Sequence, residues 1–333
     1  KRICSKYKIK LSLNKSIINT QESIIFLFNN ENILKKNFDI KVKLSKKNES
    51  FAIIPHDNKI LIYANDSRGF IYSITELADI IIYSKNNKLI LENEIVESPK
   101  TKIRSISKCF ESIDEDKEWF YDKKSWDDYL TLLISERFNR FTLTLGMQYN
   151  YPYGNEFITD VYLYLPYPFI VQPKGYKIKL TKFSKKERDK NLKIIQYISK
   201  EAQKRGLEFQ LAIWTQRYDF DEVPNANFQI LNYPKGLNYA KYCRDSLSLI
   251  LKNCPNITGI TLRVHVECGI PEKDYNFWKI YFQAIKKCGR KLNLDLHAKG
   301  IDDKLINIAL KNTNSLSISP KYISEHMGLP YHQ

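Results

Sequence analysis

No run of about 18 apolar residues occurs in the 333-residue chain, so nothing in it reads as a membrane-spanning helix. The six cysteines (Cys4, Cys109, Cys243, Cys254, Cys268 and Cys288) form no CxxC pair and no dense framework. At this length that points to free thiols, several of them in core strands or helices, rather than to a disulfide scaffold. No recognised nucleic-acid-binding module appears either. The formal charge of +16 comes from lysines that outnumber arginines and are scattered along the chain, the usage of an AT-rich genome. Nucleic acid is therefore not expected as a partner, although so basic a chain would attract acidic small molecules or polysaccharides. Neither an initiator Met nor a signal-like apolar stretch opens the chain. It reads as a fragment or a trimmed mature chain, and the compartment stays open.

What is present falls into two rhythms, residues 1–100 and 101–333. The first is rich in short β-type runs: "KYKIKLSL", "SIIFLF", "FDIKVKLS", "FAIIP" and "KILIYA". One helical stretch follows, "SRGFIYSITELADIII", with Ser67 as its expected N-cap and Ile71, Ile74, Leu77 and Ile81 at helical spacing. "KLILENEIV" reads as a last strand, and strands followed by a late helix suggest a small α+β domain. "ESPKTK" is the expected joint.

From about residue 102, strands alternate with helices. The strands are "KIRSISKCF", "FNRFTLTLG", "LEFQLAIW", "ITGITLRVHVE", "KLNLDLHAKG" and "SLSISPKY", six in all, with helical patterns between them. Gly206 and Gly289 stand where left-handed caps would end helices. Such repetition predicts a parallel sheet, either doubly wound or closed into a barrel.

Strands covered by helices on both faces read as nearly continuous apolar runs. Here several alternate instead: Gln210 and Trp214; Arg263, His265 and Glu267; Asn293, Asp295, His297 and Lys299. The apolar partners would face helices, and the polar set would line a barrel axis. The expected fold is therefore a (β/α)8 TIM-type barrel after a small α+β domain. It is truncated after six of its eight units, a state that would expose sheet edges.

Sites in such barrels lie at the C-terminal ends of the strands. Glu267 ends the fourth and precedes Cys268, Gly269 and a proline-bearing loop. A partly shielded carboxyl there can have a raised pKa and act as a general acid, or simply neutralise Arg263, His265 or Lys299. The same mouth should gather His265, His297, Lys299 and Lys321, with Arg217 after the third strand. Several cations on consecutive strand ends suit an anionic group such as a uronate carboxylate or a sulfate. Equally, they could balance barrel carboxylates. Trp214 could stack on a sugar ring, as could tyrosines of "MQYNYPYGNEFITDVYLYLPYP", where local packing is the competing role.

Four segments carry a resemblance. "VHVECGIPE" looks like the fourth-strand segment of the xylan α-glucuronidase family of glycoside hydrolases. "YANDSRGFIYSITELADII" resembles the end of the small domain that precedes the barrel in α-glucuronidases and β-hexosaminidases. "SPKTKIRSISKCF" and "FNRFTLTLG" resemble the lead-in to the first strand and the second strand. The resemblance implies a glycosidase with Glu267 as acid, acting on poly- or oligosaccharides, among them ones with uronic or other acidic sugars, and needing no cofactor. It places the basic carboxylates on later strands. The adjacent Asp-Glu of hexosaminidases is absent, since Val266 precedes Glu267.

A glycosidase normally uses two carboxylates, about 5–5.5 Å apart for retention or ~6.5–9.5 Å for inversion. Glu325 lies at the correct end of the barrel for the second role. Glu111 is a weaker candidate, and Asp295 is better placed as a buried partner for Arg263. Two further readings remain. His265, Glu267 and His297, joined by His326 or His332, could ligate a metal, although no HExxH or HxH spacing occurs. A non-catalytic carbohydrate-binding barrel would carry the same aromatic and charged groups. The sequence does not address oligomeric state.

Overall fold

The computed structural model describes residues 23–84, 91–147, 160–217 and 226–320. Contacts divide the chain into two compact units: residues 1–104 with 134–137, and residues 105–133 with 138–333.

The first unit contains β1 (Ser23–Phe28), α1 (Glu31–Phe38), β2 (Phe51–His56), β3 (Lys59–Ala64), α2 (Ser67–Tyr83) and β4 (Ile95–Glu97). Its sheet has the order β1-β3-β2-β4; β1 runs parallel to β3, and the other pairs are antiparallel. The cap of α2 is Asp66 rather than Ser67: its carboxylate accepts from Gly69 N at 2.9 Å and from Glu49 N at 2.9 Å. A carboxylate is the stronger acceptor for the first-turn amides.

The run "FDIKVKLS" is not a strand. Phe38 ends α1, and residues 39–44 belong to no ladder. Val42 is nevertheless buried, with Phe38, Ile40 and Leu44 packed against Leu34, Ala52, Ile54 and Leu61. The alternation therefore reports one-sided burial without strand pairing. "KLILENEIV" contributes only the start of β4, with residues 88–90 outside the described residues.

The second unit holds a six-stranded, wholly parallel sheet of β5 (Ser105–Cys109), β6 (Arg140–Leu145), β8 (Glu208–Ile213), β10 (Gly259–Leu262), β11 (Asn293–His297) and β12 (Leu316–Ser319). They lie side by side in the order β12-β11-β10-β8-β6-β5. A small two-stranded ladder pairs β7 (Lys179–Leu180) with β9 (Ile230–Leu231). The helices are α3 (Ile113–Tyr121), α4 (Lys123–Ser135), α5 (Pro166–Ile170), α6 (Lys185–Lys204), α7 (Leu237–Asn253), α8 (Tyr275–Tyr281), α9 (Gln283–Lys287) and α10 (Asp303–Leu310). Ser184 and Glu187 form a reciprocal capping box at the start of α6. Gly206 and Gly289 adopt φ of +78° and +73°, as their places at helix ends require.

The sheet has two chemically distinct faces. Phe141, Leu143, Leu145, Phe209, Leu211, Ile213, Ile260, Leu262, Leu294 and Leu296 form the fully buried one. The register aligns Ser107, Thr142, Gln210, Gly259 and Asn293 on the other, then Thr144, Ala212, Thr261, Asp295 and Ser317. These polar groups bond to one another: Gln210 Nε2 donates to Thr261 Oγ1 at 3.1 Å and to Asn293 Oδ1 at 3.3 Å. Ser317 and Ser319 both donate to Asp295, each at 2.7 Å. Gly259 makes room for this network, since a Cβ there would stand 2.2 Å from Gln210 Oε1.

Two expectations for this unit need correction. The fourth strand stops at Leu262, and Val266–Cys268 form a 3-10 turn that leaves Val266 57% exposed. The helical pattern between the fourth and fifth strands is broken at Phe282 into α8 and α9. The five described cysteines are free, with Cys243, Cys254 and Cys268 buried. Among the described residues no helix is long and apolar enough to cross a membrane.

Candidate functional site

Charged groups converge just beyond the C-terminal ends of β8, β10 and β11. Once β10 ends at Leu262, the chain folds back through the 3-10 turn, which brings Glu267 over Arg263 at an i, i+4 separation. Arg263 Nη2 lies 2.9 Å from Glu267 Oε2. Lys299, two residues past β11, donates to Oε1 of the same carboxylate. His265 is wholly buried; its Nδ1 accepts from Glu267 N at 3.3 Å, and its Nε2 faces Glu267 Oε2 at 3.5 Å. With Nδ1 accepting, the proton of the neutral ring sits on Nε2, toward the carboxylate.

Two glycines allow this packing. Gly300 adopts φ +74°, and a Cβ there would come 2.6 Å from His265 Cβ, so the Lys299 loop can rest against the histidine. Gly269 adopts φ +84° and passes so close to Arg217 that a Cβ would stand 2.0 Å from its carbonyl oxygen. Gln216 N and Arg217 N donate to Cys268 O at 2.8 and 3.1 Å, tying the turn to the end of β8.

Trp214 forms the wall. Its ring lies under the Arg263 guanidinium at 5.5 Å and meets His297 edge-on at 5.2 Å. Its indole N–H is buried without a hydrogen-bond partner among the described residues. The His265 and His297 rings are 6.0 Å apart.

The electrostatics run opposite to the expected raised carboxyl. Burial pushes the Glu267 pKa up, but the hydrogen bond from Lys299 and the charges of Arg263, His265 and Lys299 outweigh it and hold the group below the usual range. Glu267 is 41% exposed and ionised in this arrangement. Burial drives His265 down to about 4, with Arg263 and Lys299 pushing the same way against the pull of Glu267. At neutral pH the cluster is one carboxylate, two fixed cations and a neutral imidazole.

The structure thus brings together Trp214, His265, Glu267, His297 and Lys299. Arg263, one of the groups that the sequence offers for Glu267 to neutralise, joins them as its ion-pair partner. Arg217 is exposed and turned elsewhere: with Tyr233, Lys235, Tyr239, Asp274 and Phe277 it lines a neighbouring cavity of about 660 Å³. Tyr233 and Tyr239 stack there at 4.5 Å. Nothing in the sequence pattern singled out that cavity.

Lys321, Glu325, His326 and His332 lie outside the described residues. Asp295 is not the partner of Arg263; its hydrogen bonds go to Ser317 and Ser319. Glu111 follows β5, three strands along the sheet from β10, and its pKa is raised by burial and by Asp116 and Glu115. Of the tyrosine-rich stretch, residues 148–159 are outside the described set, and the described tyrosines pack locally. Tyr167 bonds Gln216 Oε1 and Tyr281, each at 2.6 Å, while Tyr162 meets Tyr121 and Asn191. Among the described residues no group of three or more His, Cys, Asp and Glu is placed to hold a metal ion.

No protein-family model matches the chain. A search of curated proteins also returns no match. Solved structures do match. A GH138 enzyme targeting pectin rhamnogalacturonan II aligns with a TM-score of 0.64 at 19% identity, over 83% of this chain and 33% of that one. A glycoside hydrolase family 20 β-N-acetylglucosaminidase aligns at 0.53 and 11% identity, over 91% and 71%. The β-N-acetylhexosaminidase from Bacteroides fragilis NCTC 9343 aligns at 0.52 and 15%, over 93% and 66%. The chain spans a third of the first structure's length and about two thirds of the others. These likenesses show the fold: the two units are built as in glycoside hydrolases.

Proposed function

We propose that the chain is part of a glycoside hydrolase acting on a carbohydrate that carries uronic acid. In this reading the parallel sheet is the larger part of a (β/α)8 barrel, with Glu267 at its mouth as the general acid. The observation that carries it is the cluster itself: a half-exposed carboxylate beyond parallel strand ends, flanked by Arg263 and Lys299 and backed by buried Trp214. A guanidinium and an ammonium beside an aromatic face suit a sugar ring bearing a carboxylate. The polysaccharide named for the GH138 structure, a rhamnogalacturonan, is by that name one that contains a uronic acid. Val266, in front of Glu267, offers no second carboxylate to an N-acetyl group, which separates this site from the hexosaminidases of like fold. The α-glucuronidase resemblance rests on the sequence segments alone.

Glu267 would protonate the leaving glycosidic oxygen while a second carboxylate serves as base or nucleophile. Glu325 is this chain's candidate for the second role, and Lys321 would extend the cationic side of the mouth. His265, buried and neutral, would orient Glu267 through the hydrogen bond from its amide. Arg217 and the adjoining cavity would meet the next sugar along the chain.

The test is turnover of uronic-acid-containing and neutral oligosaccharides by the full-length protein and by Glu267→Gln. Loss of a general acid should lower kcat by about 10²–10⁴-fold on the uronic-acid substrate. Full activity in the variant would remove Glu267 from the mechanism.

A further inference from the structure

An acid that must deliver a proton is here held as an anion by two cations. Lys299 and Arg263 occupy both oxygens of Glu267, one each. The restraint is uneven in depth: Arg263 is 12% exposed and pinned over Trp214, whereas Lys299 is 43% exposed at the rim. These cations are also the groups that a substrate carboxylate would seek.

We infer that the carboxylate of a bound uronic acid competes with Glu267 for Lys299 and Arg263, and that this exchange frees Glu267 to carry the proton it donates. The inference rests on the acidic-sugar reading above and adds a source of specificity to it. A neutral sugar of the same shape would bring no carboxylate to Lys299 and Arg263 and would leave Glu267 paired and ionised.

The groups facing Glu267 make the exchange electrostatically reasonable. They are Arg263 from the end of β10, His265 from the turn, and Lys299 from the loop after β11, with His297 behind His265. A second carboxylate entering this set adds a negative charge beside Glu267 and draws away its hydrogen-bond donors. Both changes favour the protonated carboxyl, for the reason that paired acids share protons. Glu267 takes that proton from solvent and passes it to the glycosidic oxygen as the C–O bond breaks. One water is split across the bond, and its remaining proton returns to solvent through the carboxylates. Product release restores the pair with Lys299.

The experiment is a carboxyl-carbon NMR titration of the full-length protein, with the Glu267 resonance assigned by its absence in Glu267→Gln. Galacturonic acid and galactose are the probes, and calorimetry reports binding. Free protein should show Glu267 titrating below the usual carboxylate range. Saturating galacturonic acid should move the midpoint upward by about one pH unit or more, a tenfold change in proton affinity. Galactose should leave it in place. Lys299→Met should raise the midpoint of the free protein and weaken galacturonic acid binding by about tenfold, the loss expected of one charge-assisted hydrogen bond.

Calorimetric binding of galacturonic acid with an unmoved Glu267 midpoint would overturn the exchange and leave the acidic-sugar reading standing. Undiminished affinity in Lys299→Met would overturn it as well. Absence of galacturonic acid binding to the unaltered protein would overturn both readings.

Discussion

At the scale of single residues, His265 carries the clearest consequence. Burial holds its pKa near 4, below the unfolded value of about 6.5, so between those limits the unfolded chain binds the extra proton. Stability is therefore fully present above about pH 6.5 and declines as the pH falls toward 4. Thermal melts from pH 7.5 to 4.5 should show that decline, and His265→Gln should flatten it. An equally steep slope in the variant would place the sensitivity elsewhere. Glu267 shifts the same way for a different reason, because its folded carboxyl is held down by cations. Both residues are visible in the sequence as polar positions in an alternating run. The direction of the Glu267 shift is not, because it depends on Lys299 arriving from thirty-two positions further along the chain.

At the scale of elements, the decisive piece is the 3-10 turn. Sequence alternation over 257–267 suggests one long strand with Glu267 and Arg263 on the same face. The two side chains do meet, as a carboxylate–guanidinium pair, but through a fold-back rather than through period-two geometry. The turn depends on Gly269, whose left-handed backbone and contact with the Arg217 carbonyl leave no space for a side chain. Gly269→Ala should cost roughly 2–3 kcal/mol in denaturant unfolding, from strained φ together with steric overlap. A cost within about 0.5 kcal/mol, the range of an ordinary surface change, would mean that the turn is free to relax. Most strands of the larger sheet are legible because they have one apolar and one polar face. The segment 38–45 misleads for the same reason, since one-sided burial of Ile40, Val42 and Leu44 imitates a strand without requiring ladder hydrogen bonds.

At the scale of the whole molecule, the division into two units and the parallel order of the larger sheet follow from features spread along the chain, which local errors do not erase. The site is harder to read, because its members come from three strand ends and two loops. Net charge acts only at this scale. With a formal charge of +16 and scattered lysines, association with a polyanionic sugar should be steered by the field of the entire surface. Affinity for polygalacturonate should fall about tenfold or more between roughly 50 and 500 mM salt, measured by calorimetry, as the screening length shrinks to a few ångströms. An affinity indifferent to salt would confine recognition to uncharged contacts.

The carbonyl of Cys268 takes hydrogen bonds from two successive amides at the end of β8, so the peptide bearing Glu267 is clamped to the rim of the aromatic cavity. On the proposed glycosidase reading, selection for longer or shorter sugar chains at that rim would also retune Glu267, so that substrate length and acid strength would be joined mechanically.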